Sequence, residues 1–422
     1  MQRLLLLIPT TSYRASLFLE ASERLGVEVI VGSNRRQVLE QYSQERTITL
    51  NFRDLEKGTG QIVEYAKRHP LAAIVSVDEE ATILAAKASA ALSLPHNTVE
   101  STDAARNKYR LREILSKAGL PSPSYRLFPM DGDPAAFAPD VHFPCVLKPL
   151  FLSASRGVIR ANHEEEFVSA FHRIVKILTD PDVVSLGGEA ARQILVEDFI
   201  PGREVALEGL LIKGKLQVLA LFDKPDPLDG PFFEETIYVT PSRLPPSIQK
   251  EIADGTSRAT LALGLREGPV HAELRVNHKG PWLIEVAARS IGGLCSRTLR
   301  FGTGLSLEEL ILRHALGLPI ESMEREQKAA GVMMIPIPQR GILREVRGKS
   351  KAKAVSGIEE VTIMIRVGQE VVPLPEGHKY LGFIFARDET PERVEAALRE
   401  AHQRLEFVIG PERQTRPEPS LK

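Results

Sequence analysis

Val270-His271-Ala272-Glu273-Leu274-Arg275-Val276 is followed, across Asn277-His278-Lys279-Gly280, by Trp282-Leu283-Ile284-Glu285-Val286-Ala287-Ala288-Arg289. Two apolar runs around a turn-forming tetrapeptide read as a β-hairpin. Side chains alternate along a strand, so His271, Glu273 and Arg275 share one face of the first strand. Glu285, Ala287 and Arg289 share one face of the second. Pairing the strands can bring Glu273 and Glu285 together. Neighbouring carboxylates repel unless a positive charge lies between them. Hard oxygen donors of this kind suit Mg2+, which is usually held by one or two carboxylates and nucleotide phosphates. The competing reading is a structural ion network in which Arg275 and Arg289 balance the two acids.

Two clusters upstream carry related chemistry. In Lys148-Pro149-Leu150-Phe151-Leu152-Ser153-Ala154-Ser155-Arg156-Gly157-Val158 a lysine follows the apolar strand Val141 to Leu147, and a loop of small residues leads to a second strand, Val158 to Arg160. Small residues let backbone N–H groups approach phosphate oxygens, and the lysine adds a point charge. The pattern G-x-x-x-x-G-K-[ST] is absent, so this is not a Walker loop. The plain alternative is a surface hairpin. In Val196-Glu197-Asp198-Phe199-Ile200-Pro201-Gly202-Arg203-Glu204 the turn pair Pro201-Gly202 joins strands Ile194 to Glu197 and Glu204 to Ile212. Such a hinge can offer backbone groups to an adenine edge and a carboxylate to ribose hydroxyls. Two exposed acids flanking a tight turn are the alternative.

Further out, Leu4 to Ile8, Val27 to Val31 and Ala72 to Val77 read as buried parallel strands, with helices Ala15 to Leu25 and Glu80 to Leu92 between and after them. This is an open α/β domain. Its first strand–helix turn, Pro9-Thr10-Thr11-Ser12-Tyr13, has no glycine, so no dinucleotide fingerprint is present. Asn97 to Arg106 reads as a polar loop and Lys108 to Ala118 as a helix. Phe222 to Tyr238 reads as a solvated acidic loop, with a substrate loop as the alternative. Strands recur at Val332 to Ile337, Val361 to Val367 and Tyr380 to Ala386, before a helix from Pro391 to Arg404. Pro411 to Lys422 reads as a disordered tail.

Composition narrows the function. Lys plus Arg (54) against Asp plus Glu (55) gives a net charge of −1, which excludes a polycationic wrapper of nucleic acid. Cys145 and Cys295 are the only cysteines, so neither a disulfide framework nor a cysteine metal site is supported, and a reducing cytoplasm fits. No apolar run reaches the roughly 18 residues of a membrane span.

Taken in order, the pieces resemble the ATP-grasp superfamily of carboxylate–amine or carboxylate–thiol ligases. They are Asn107-Lys108, Lys148-Pro149 with its small-residue loop, Glu197 to Gly202 with Glu204, Glu273, and Ile284 to Arg289 with Gly292-Gly293. Within the superfamily the chain is similar to the L-amino-acid ligase branch, which includes bacilysin-type dipeptide ligases and carnosine synthase. Gly377-His378-Lys379-Tyr380-Leu381-Gly382-Phe383-Ile384 also looks like that branch.

The resemblance implies an α/β fold, α+β in parts. A Rossmann-like pre-ATP-grasp domain would span 1–100, a small grasp lobe 101–192 and a large lobe 193–320. A C-terminal α+β domain would span 321–410, with the tail at 411–422. It implies that Lys108 and Lys148 contact ATP phosphates under a flap containing Ser153, Ser155, Arg156 and Gly157. Glu197, Asp198 and Phe199 would bond adenine through the backbone, and Glu204 would hold the ribose. Glu273 and Glu285 would hold Mg2+ or Mn2+. Arg289, with Gly292 and Gly293 nearby, would bind the carboxylate substrate and its acyl phosphate. Many members carry Asn two positions after the second glutamate as a further metal ligand, where this chain has Ala287. The partners implied are small molecules, a carboxylate and an amine and most readily amino acids, with no nucleic acid or membrane, in a cytoplasmic homodimer.

The chemistry agrees. A carboxylate is a poor electrophile, and phosphoryl transfer turns it into an acyl phosphate with a good leaving group. The attacking amine must lose a proton, for which His271 and Glu235 are candidates. The rivals are an ATP-grasp enzyme of purine biosynthesis or of the biotin-carboxylase type, and a non-catalytic ATP-binding module, which only Ala287 favours.

Overall fold

The computed structural model describes residues 2–35 and 46–411; of the expected tail, 412–422 lie outside these. The N-terminal sheet is parallel, in the order β3-β2-β1-β4. Its strands are β1 (Arg3–Leu7), β2 (Glu28–Ser33), β3 (Thr47–Thr49) and β4 (Ala73–Ser76). Leu4 to Leu7 are all fully buried because the sheet is covered on both faces. Leu4 and Leu6 pack with Phe18 and Ala21, while Leu5 and Leu7 pack with Ile62 and Leu84.

One expectation fails here. The stretch Asn97 to Arg106, read as a loop, contains a helix, Val99–Arg106. Thr98 caps it, its side chain accepting from the Ser101 N–H. Its buried face is Ser101, Thr102, Ala104 and Ala105, small residues that leave no apolar stripe to read. Asn107 then caps the helix Lys108–Lys117, accepting from the N–H groups of Tyr109 and Arg110.

The second sheet is antiparallel, β5-β8-β6-β7, from β5 (Tyr125–Pro129), β6 (Cys145–Pro149), β7 (Ile159–Ala161) and β8 (Gln193–Asp198). Strand β6 begins four residues later than Val141, directly after Pro144, which has no N–H for a ladder. The strand also runs on to Pro149, past the expected end at Leu147, so Lys148 lies inside it. The helix Glu164–Leu178 covers the sheet with Phe167, Phe171 and Ile174.

The third sheet has eight antiparallel strands, ordered β13-β12-β9-β10-β11-β14-β18-β16. They are β9 (Arg203–Ile212), β10 (Lys215–Asp223), β11 (Ile237–Thr240), β12 (Gly268–Asn277), β13 (Gly280–Ala287), β14 (Ala329–Ile335), β16 (Ile358–Ile363) and β18 (Gly382–Asp388). Strands β15 (Gly341–Arg347), β17 (Glu370–Val371) and β19 (Glu406–Gly410) make a small separate sheet. Because β14 pairs with β11, the large sheet runs on across the boundary expected at 320. The helix Pro391–Gln403, capped by Thr390, lays Val394, Ala397, Leu398 and Ala401 onto it. Gly331 permits this approach, since a Cβ there would stand 2.7 Å from Val394 Cγ1. Among the described residues no helix is long and apolar enough to cross a membrane.

Candidate active site

A cavity of about 420 Å³ lies where these units meet. The carboxyl ends of β1 and β4 supply Pro9, Thr11 and Asp78 to Glu80, an edge where open α/β sheets commonly place ligands. Every residue singled out from the sequence as a site residue lines the cavity except Gly157.

Glu273 and Glu285 are directly opposed in the β12–β13 register, with an irregularity immediately after Glu273. Burial pushes the Glu273 carboxyl up, and Glu204 and Glu285 add to this against Lys224. Glu285 meets the same burial, but Lys108, Arg289 and Lys148 outweigh it and hold its carboxyl below the ordinary range. Lys108 Nζ lies 3.4 Å from Glu285 and donates to the Leu152 carbonyl at 2.8 Å. Two opposed carboxylates among cations, facing a cavity, form a hard-oxygen donor pair that fits a divalent ion. Ala287, at the position of the missing Asn, pairs with His271 and is buried.

Lys148 has a partner the sequence did not reveal. Its Nζ lies 2.6 Å from Glu197, and the buried Arg112 contacts the other Glu197 oxygen at 2.7 Å. Burial opposes ionisation of Glu197, yet Arg112 and Lys148 prevail and hold its carboxyl low. The Glu197 side chain thus braces a lysine beneath the cavity. The N–H groups of Asp198 and Phe199 donate to the carbonyls of Ser124 and Pro144, both at 3.0 Å, so neither is free for an adenine ring. The Phe199 ring is flanked by the guanidinium groups of Arg160 at 4.0 Å and Arg275 at 4.9 Å.

The acidic loop is corrected. Lys224, unremarked in the sequence, is buried among Glu204 (2.8 Å), Glu273 (3.3 Å) and Glu235. These carboxylates raise its pKa well above the ordinary value despite burial. The segment is therefore not a solvated loop: Glu235 also accepts from the Tyr238 hydroxyl at 2.7 Å. Among the described residues, Glu204, Glu235 and Glu273 are the one set of three acids close enough to share a cation, and Lys224 supplies it. Glu204 also accepts from Arg275 Nε at 3.1 Å, so both its oxygens are engaged. The available signal was a lone lysine within a run of acids and aromatics.

His271 has carboxylates at both ring nitrogens, Glu208 at 3.1 Å and Glu273 at 3.4 Å. Glu208 is fully buried and also accepts from the Ile291 N–H at 3.0 Å. Arg289 is held by Glu79 of the N-terminal domain at 2.7 Å, a contact between residues 210 positions apart that spacing could not suggest. Gly292 and Gly293 lie beyond it, and Gly293, at φ +59°, packs against Phe383.

Three family models match the chain: "ATP-grasp N-terminal domain" over residues 19–96, "ATP-grasp domain" over 141–298, and "L-amino acid ligase C-terminal domain 2" over 333–410. The chain carries an ATP-grasp domain. An L-amino acid ligase from Bacillus licheniformis has a solved structure that superposes on this chain with a TM-score of 0.82 at 27% identity. The superposition covers 97% of this chain and 99% of that one. The alanine–anticapsin ligase of Bacillus subtilis (strain 168) is 28% identical over 273 residues, which is 61% of this chain and 56% of that protein. The chain thus spans little more than half of that ligase. The N5-carboxyaminoimidazole ribonucleotide synthetase of Thermotoga maritima shares the fold, at 16% identity and a TM-score of 0.70, covering 97% of this chain and all of that one.

Proposed function

We propose that this chain is an ATP-dependent carboxylate–amine ligase that joins an amino-acid carboxylate to an amine, releasing ADP and phosphate. The observation that carries the reading is the meeting of Glu273, Glu285, Lys108, Lys148 and Arg289 in one cavity. Glu273 and Glu285 would hold Mg2+ or Mn2+, which neutralises phosphate charge when bound. Lys108 and Lys148 stand ready for phosphate oxygens, each already oriented by a protein partner. A substrate carboxylate would compete with Glu79 for Arg289. Transfer of the γ-phosphoryl group to that carboxylate would give an acyl phosphate. Attack by an amine would then form the amide, the C–O bond to phosphate breaking as the C–N bond forms.

The similarity to the L-amino acid ligase, well above that to the N5-carboxyaminoimidazole ribonucleotide synthetase in both identity and superposition, supports amino acids as substrates. The two buried thiols, Cys145 and Cys295, support a reducing cytoplasmic setting.

The test is phosphate release from Mg·ATP against a matrix of paired amino acids, each also tested alone. Release that needs a particular pair is expected. No release with any pair, despite tight ATP binding, would defeat the reading and favour a non-catalytic module.

A further inference from the structure

We infer that Glu376 is a positioning residue that latches the flap over the phosphate end of the cavity, so that the C-terminal segment governs how well the site excludes water. The inference rests on the ligase reading of that site. The segment 372–381 runs between β17 and β18 and reaches back to the small lobe. Gly377 makes the turn: its N–H donates to the Pro373 carbonyl at 2.8 Å, and a Cβ there would stand 1.9 Å from the Val372 oxygen. The turn presents two carbonyls and one carboxylate to the flap side. The Gly157 N–H donates to Pro375 at 2.9 Å and Arg156 Nε to the Glu376 carbonyl at 3.0 Å. Arg173 grips the Glu376 carboxylate through two nitrogens, at 2.5 and 2.9 Å.

The flap needs outside anchors. Ala154 and Ser155 both sit at φ +53°, a left-handed conformation unfavourable for residues with a Cβ. Its internal bonds are two short turns, Arg156 N–H to Ser153 and Val158 N–H to Ser155. Pro375 and Glu376, more than 200 positions away, therefore hold a strained loop together with Asp180, which lies 3.5 Å from Arg156, and the Arg173 pair fixes Glu376 in place for this; Arg156 lines the cavity. The Arg173–Glu376 pair is suited to opening, because both side chains are about one-third or more exposed (41% and 34%) and regain water when they part. A nucleotide site that must admit ATP and release ADP each cycle needs such a reversible closure.

Loss of the latch would let water reach the acyl phosphate. Water would then take the place of the amine, returning the free carboxylate and phosphate, so that ATP is spent with no amide formed.

The experiment compares wild type with Glu376→Gln, Arg173→Glu, and the exchanged pair Glu376→Arg with Arg173→Glu. Release of mant-ADP in Mg2+ is followed by stopped flow, and ADP formed per amide formed is measured in parallel. Each single variant is expected to release mant-ADP roughly tenfold faster and to make several ADP per amide, with the exchanged pair restoring both. Unchanged release in Glu376→Gln, or an exchanged pair as defective as the single variants, would overturn the latch. The release measurement needs no amide product, so failure of the ligase reading leaves it able to judge the latch alone.

Discussion

Glu273 and Glu285 face each other across the β12–β13 hairpin, and their environments push their carboxyl groups in opposite directions. Glu285 is drawn toward the charged state by Lys108 and Arg289, whereas burial favours the proton on Glu273. A divalent ion would favour the charged form of both. Glu285→Ala should therefore lower ADP formation by about two orders of magnitude or more, with the circular dichroism spectrum unchanged. Normal turnover would remove Glu285 from the site.

Glu197 braces Lys148 from a dry position shared with Arg112. Glu197→Gln leaves two buried cations short of their counter-charge and should destabilise the protein by about 3 kcal/mol, read from urea unfolding. It should also raise the Michaelis constant for ATP. The pH dependence has a definite sign. Glu197 is held below its ordinary value, so its contribution is complete above roughly pH 4.5 and is lost as pH falls below that. Glu197→Gln should flatten stability on that acid limb. An acid limb as steep as in wild type would argue against the pairing.

Lys224 is the internal cation of three carboxylates. Lys224→Met should cost about 3 kcal/mol, because it removes the ammonium that balances three half-buried carboxylates and leaves Glu204 its bond from Arg275 and Glu235 its bond from Tyr238. Replacing Glu235 by Gln in the same chain should recover part of the loss. If the double variant is no more stable than the single one, the two residues do not act as a pair.

Cys145 is buried, and burial pushes its thiol up to about 12; burial also raises the Cys295 thiol, with Glu235 adding to it. The reactive thiolate is therefore scarce at pH 8. Alkylation of native protein at that pH should modify neither residue, and two thiols should titrate after denaturation. Rapid native labelling would contradict the burial of that cysteine.

The sequence was most readable where chemistry and strand period coincide. Alternation along 270–276 shows which residues share a face, and the Asn-His-Lys-Gly turn sets the pairing as far as Leu274 and Leu283; a register shift at Ile284, which nothing in the sequence marks, then brings Glu285 opposite Glu273. What escaped depends on distant partners. Nothing local marks Arg112 as the neighbour of Glu197, Glu79 as the neighbour of Arg289, or Glu376 as the neighbour of Arg173. Val99–Arg106 escaped because its buried face is made of small residues. Lys224 escaped because surrounding acids give the segment a solvated look, although those acids are what neutralise its charge indoors.

The most direct test of the central claim follows oxygen. An amino acid with both carboxylate oxygens labelled with 18O, turned over with Mg·ATP and its amine partner, should pass one labelled oxygen to the released phosphate and keep the other in the amide. That result requires a bond between substrate carboxylate and γ-phosphorus. Amide formation with unlabelled phosphate would contradict an acyl-phosphate route through this site.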